Sequence, residues 1–136
     1  MDDVIEIRIP AKPRYLRVVR GAVSDFCELA GLSSKESNLV RLAIDEACTN
    51  IIRHAYGGET SQPIIMTVCI LPDRIRFIMH DHGRHVNPKQ LKSRALSEIR
   101  PGGLGVHLIK SVMDLFVYQE RDGMNELILD KNIKVK

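Results

Sequence analysis

The chain has 136 residues, of which 44% are hydrophobic and 27% charged, and its net charge at neutral pH is +3. That length suits one core and one domain, 1–136. The mild charge, with no Lys/Arg run above two residues, excludes a basic nucleic-acid tail, and no apolar run approaches the roughly 20 residues that cross a bilayer.

The opening segment, MDDVIEIRIP, begins with acids and then alternates. It reads as a strand through Val4, Ile5, Ile7 and Ile9 ending at Pro10, not as a signal peptide. Three cysteines, Cys27, Cys48 and Cys69, form no C-x-x-C pair and lie in apolar stretches. Buried free thiols in a reducing cytoplasm are the expectation.

Residues 14–30 carry Tyr15, Val18, Val19, Ala22, Phe26, Leu29 and Ala30 at helical spacing, and Gly31 stops that helix. Ser33-Ser34-Lys35-Glu36 is a capping box for a second helix running to about residue 54. Its stripe is Leu39, Val40, Ala43, Ile44, Ala47, Cys48 and Ile51, and Tyr56-Gly57-Gly58 ends it. On the flank of that stripe Glu46, Asn50 and His54 recur every fourth residue and form one ridge. A solvated helix face explains charges there, but a mid-helix Asn has no evident local task. A carboxylate one turn from an amide oxygen can also hold a water and a Mg²⁺ ion side by side.

Residues 64–71 and 74–81 are two strands joined by Pro72-Asp73. The second runs into HDHGRH, residues 80–85, whose three histidines raise the question of a metal site. Alternation splits the ligands: Ile75, Phe77, Met79 and Asp81 share the core side, while His80 and His82 point the other way. A metal needs convergent ligands. Asp81 thus continues a buried stripe, where a carboxylate needs a partner, either a local turn through Gly83 or a ligand.

Residues 84–101 are polar, basic and bounded by prolines, which suits a loop. Gly102-Gly103-Leu104-Gly105 then opens a helix with the stripe Leu104, Leu108, Ile109, Val112 and Met113. Free N–H groups at such a start suit phosphate oxygens. Strands over 116–120 and 125–130 follow, turned by Asp122-Gly123. The order β-α-α-β-β-loop-α-β-β predicts an α+β two-layer sandwich, with a mixed, mostly antiparallel sheet and helices on one face.

Three motifs, taken together, resemble the Bergerat-fold ATPases (the histidine-kinase-like, GHKL-type superfamily) and within them the bacterial anti-sigma-factor serine kinases. DEACTNIIRHAYGG resembles the N box, HDHGRHVNP stands where the D-x-G-x-G box belongs, and GGLGVHLIKSVMDLF resembles the G-x-G box with its helix. The resemblance covers nearly the whole chain. It implies a cytoplasmic kinase that uses ATP and Mg²⁺ to phosphorylate a STAS-type anti-anti-sigma protein and sequesters a sigma factor, a partner-switching regulator of transcription that commonly acts as a homodimer. It makes Glu46 the general base, Asn50 the Mg²⁺ ligand, and His54 a neighbour of the phosphates. Asp81 would take the adenine amino group and Gly83 the close approach of the base. Gly103, Leu104 and Gly105 would cradle phosphates, beneath a lid over 84–101 whose scattered cations (Lys89, Lys92, Arg94, Arg100) have no assigned phosphate.

Two departures stand out. His85 replaces the second glycine of the box, which allows an alternative reading as a catalytically weak or inactive binding module. Met124-Asn125 stands where related ATPases often carry a phosphate-binding hydroxyl residue.

Overall fold

The computed structural model describes residues 2–86 and 105–134. Among them the order is β1 (Val4–Ala11), a 3₁₀ turn (Pro13–Tyr15), α1 (Leu16–Leu29), α2 (Ser34–Asn50) and a π-helical turn (Ile51–Ala55). After these come β2 (Thr60–Ile70), β3 (Arg74–Asp81), α3 (Gly105–Val112), β4 (Leu115–Arg121) and β5 (Met124–Asn132).

The strands form one sheet in the order β1-β2-β3-β5-β4, and every neighbouring pair is antiparallel. The α+β sandwich is as expected; the mixed sheet is not, since no parallel pair occurs among the described strands. β1 does not stop at Pro10 but continues to Ala11 through a register shift, which edge strands tolerate. Asp122 and Gly123 both have positive φ, 53° and 79°, and join β4 to β5 in the tight two-residue hairpin.

The core lies between the sheet's inner face and the helices, with Phe77, Ile75, Met79, Met66 and Leu129 from the strands fully buried. From α1, the buried residues are Leu16, Val19, Val23 and Cys27. The expected stripe is therefore partly corrected, because Val18 is 61% and Leu29 74% exposed. Two stripes of equal period run along this helix, and packing selected the one through Leu16 and Cys27. Leu39 of α2 is likewise exposed, while Val40, Ala43, Ile44, Ala47 and Cys48 are buried. The Ser33–Glu36 capping box forms as read, Glu36 N–H donating to Ser33 Oγ at 3.1 Å. In α3 Ile109 and Val112 are buried as expected, together with Val106, and so is Met113 just past its end.

All three cysteines are free thiols. Burial pushes the Cys27 thiol up to about 11 and Cys48 up to about 12, so both are inert at neutral pH. Cys69 is only partly buried, against expectation, because it sits on the outer face of β2 opposite Arg76.

Candidate functional site

The site is built where the end of α2, the end of β3 and the β4–β5 hairpin meet. Between them lies a pocket with mostly apolar walls, the character of a small-molecule site. Ile51, Val106, Ile109, Phe116 and Tyr118 are among those walls, and among the described residues only Asn50 and Asp81 add strongly polar groups.

Asp81 is 2% exposed. Its Oδ1 accepts from the Gly83 N–H at 2.8 Å and from Asn125 Nδ2 at 2.9 Å. Among the described residues Oδ2 has no hydrogen-bond partner and no cation pairs with the carboxylate. Burial holds its carboxyl above the usual carboxylate range, against the pull of the Asn125 and Gly83 bonds. Asp81 thus caps a turn through Gly83 and also lines the cavity.

The turn that leaves β3 is clamped from two sides. On one side, His82 N–H donates to Tyr56 Oη at 2.9 Å, Arg84 N–H to the Ala55 carbonyl at 2.9 Å, and Arg84 Nε to the His54 carbonyl at 2.9 Å. Gly83 is wedged against this π turn: a Cβ there would lie 2.6 Å from the Ala55 carbonyl carbon and oxygen. Glycine at 83 thus admits the protein's own backbone at Ala55.

On the other side stand β4 and β5. Asn125 is 3% exposed, and its Nδ2 reaches Asp81 Oδ1, the Gly83 carbonyl at 3.0 Å and the Arg84 carbonyl at 3.1 Å. Asn125, at the position where related ATPases often carry a phosphate-binding hydroxyl residue, thus lies beside Asp81. His85 turns toward it, with Nδ1 3.0 Å from Asn125 Oδ1, and stacks on Tyr118 with centroids 4.5 Å apart and planes 7° from parallel. Tyr118 Oη accepts from the Val86 N–H at 3.1 Å. Among the described non-glycine residues only Asp122 has positive φ, so the backbone at His85 is ordinary. The side chain is absent from the cavity lining. These partners lie some 30 to 40 residues away in sequence, and no local signal announced them.

The α2 ridge is only partly as expected. Asn50 lines the cavity, and Glu46 lies one turn earlier, outside its lining. Among the described residues, Glu46 Oε2 is buried without a hydrogen-bond partner. Burial, then the neighbouring Asp45, holds its carboxyl above the usual range, while Arg53 draws it down. The helix does not run regularly to His54. It widens into the π turn after Asn50, a form that recurs at functional sites. That turn takes His54 off the regular fourth-residue ridge, and its side chain is not in the cavity lining.

The histidines of HDHGRH are set apart from Asp81 as expected, His80 bonding Glu126 Oε2 at 2.8 Å on the outer face. No convergent group of His, Cys, Asp or Glu exists among the described residues. Gly105 begins α3, next to the cavity-lining Val106. Gly103, Leu104 and most of the expected lid lie outside the described residues.

A family model described as a histidine kinase-like ATPase domain matches residues 9–131. Similar curated proteins include the serine-protein kinase RsbW of Bacillus pumilus (strain SAFR-032), 30% identical over 132 residues, which cover 90% of this chain and 82% of that protein. That of Staphylococcus aureus (strain MRSA252) is 33% identical over 129 residues, 88% of this chain and 81% of the other. Among solved structures, the RsbU and RsbW domains of Rv1364c from Mycobacterium tuberculosis superpose with a TM-score of 0.66 and 14% identity. The match covers 95% of this chain and 32% of that one, and at such identity it carries the fold alone. No helix among the described residues is long and apolar enough to cross a membrane.

Proposed function

The chain belongs to the histidine kinase-like ATPase domain family, and from that premise we propose that it is an ATP- and Mg²⁺-dependent serine-protein kinase acting as an anti-sigma factor. The observation that carries the reading is Asp81: a buried carboxylate that, among the described residues, has only neutral hydrogen-bond partners and one oxygen unengaged, in a mostly apolar cavity. A flat apolar base with an exocyclic amino donor fits such a cavity, and adenine is that base.

The other parts follow from their positions. Asn50, at the last α-helical turn before the π turn, is the residue that would hold Mg²⁺. The ion, when bound, neutralises charge on the phosphates. Gly103, Leu104 and Gly105 would meet those phosphates at the start of α3, with His54 as a further neighbour. Glu46 carries an unpartnered, desolvated oxygen whose proton affinity is raised, which suits a general base. It takes the proton of a substrate serine while that hydroxyl oxygen bonds to the γ-phosphorus and the bond to the bridging oxygen breaks, leaving ADP. The serine belongs to a STAS-type anti-anti-sigma protein, and the second partner is a sigma factor. These partners, and a homodimeric state, rest on the family resemblance.

The test is transfer of labelled γ-phosphate to such a protein. Wild type should transfer, and Glu46→Gln should transfer roughly 10³-fold more slowly while binding ATP normally. Tight ATP binding with no transfer from wild type would leave only a binding module.

A further inference from the structure

Asn125 is an amide whose orientation is fixed by its surroundings. Its Nδ2 faces three acceptors: Asp81 Oδ1, the Gly83 carbonyl and the Arg84 carbonyl. The two carbonyls can only accept, so the amide cannot be turned round. Asn125 Oδ1 therefore faces His85 Nδ1, and at 3.0 Å that nitrogen must carry a proton. The Glu120 carboxylate, 3.6 Å from the same nitrogen, points to the same tautomer.

A chain of bonds thus runs from His85 through Asn125 to the carboxylate that lines the cavity. His85 also stacks on Tyr118, whose ring lines the cavity and whose hydroxyl oxygen holds the Val86 N–H. We propose that His85 is a positioning residue for base recognition. It donates to Asn125 Oδ1 and so locks the amide against Asp81 Oδ1, leaving Asp81 Oδ2 aimed at the exocyclic amino group of the base. The inference rests on the adenine reading of the cavity, and it reverses the expectation for this position: glycine would loosen the site instead of restoring it.

Removing His85 leaves Asn125 Oδ1, on a residue 3% exposed, without its protein donor. The amide keeps its acceptors but loses its tether on the Oδ1 side, so it holds Asp81 Oδ1 less firmly and leaves more of that task to the Gly83 N–H. The effect falls on discrimination between bases more than on gross affinity.

The experiment compares binding of ATP and of ITP, which carries a carbonyl in place of the amino group. It uses wild type, His85→Gly, His85→Gln and His85→Phe, with the imidazole nitrogens of wild type observed by ¹⁵N NMR. The preference for ATP over ITP should fall about 5-fold in His85→Gly. It should fall similarly in His85→Phe, which keeps the stack but has no donor. His85→Gln supplies a donor and should recover the preference to within about 2-fold. A generally loosened fold would weaken both nucleotides equally and leave the ratio unchanged, so an unchanged ratio in His85→Gly overturns the proposal. So does a His85→Phe protein with wild-type preference. If wild type binds neither nucleotide, the kinase reading fails, and two measurements on the unliganded chain decide the bond network. A proton on His85 Nδ1, with Gly83 amide exchange about 10-fold faster in His85→Gly, supports it. An Nε2–H tautomer, or unchanged exchange, overturns it.

Discussion

Asp81 and Asp130 lie on neighbouring strands of one sheet and are equally buried, each 2% exposed. Asp130, on the outer face, is held by Arg76 through two bonds of 2.7 and 2.9 Å, with Arg74 at 3.6 Å. Asp81, on the inner face, has an amide and a backbone N–H and, among the described residues, no paired cation. The charge of Asp130 is answered within the protein; that of Asp81 is answered by neutral dipoles on one oxygen only. Burial alone does not mark a functional carboxylate. The chemistry of its partners, and whether one oxygen faces a cavity, does.

The largest effect expected from this contrast is at Asp81. In Asp81→Asn the new carbonyl oxygen must stay where Oδ1 was, accepting from Asn125 and Gly83, so the new –NH₂ points into the cavity. A donor then faces the adenine amino group. ATP affinity should drop about 100-fold, roughly 2.7 kcal/mol, by calorimetry, and the preference should invert toward ITP. Unchanged ATP binding would show that Asp81 does not read the base.

Next comes Asp130→Asn, which breaks a bidentate pair and leaves Arg76 facing a neutral group. Denaturant unfolding should show a loss of about 2 kcal/mol, with ATP affinity of the folded protein unchanged. Equal damage to binding and stability in both variants would erase the distinction between the two faces.

The smallest effect is a pH dependence at Glu46, whose folded-state carboxyl is held above its usual value of 4.5. The folded chain binds that proton more tightly than the unfolded one. As pH rises past 4.5 the unfolded chain loses the proton first, and folding stability falls until the folded value is passed. Glu46→Gln removes this loss. It should match wild type in stability near pH 4 and exceed it at pH 7, and a constant difference across that range would count against a desolvated Glu46.

What the sequence determined by itself was local. The Ser33–Glu36 cap, the Gly31 and Gly57-Gly58 stops and the Asp122-Gly123 turn depend on residues within a few positions of each other, where side-chain chemistry and allowed φ decide the outcome. Period-two alternation was enough to put Asp81 with Phe77 and Met79 and to set His80 on the opposite face. Tertiary structure decided what period could not. It chose between two equal stripes on α1, leaving Val18 and Leu29 in solvent. It placed the π turn after Asn50, against which Gly83 sits with no room for a Cβ. It also gave His85 its partners, because Asn125 and Tyr118 reach it only once β5 pairs with β3 and β4 with β5. A glycine replaced by histidine reads as a defect along the chain. In the folded sheet the same histidine has a buried acceptor and an aromatic face to rest on, and contacts of that kind are made across strands.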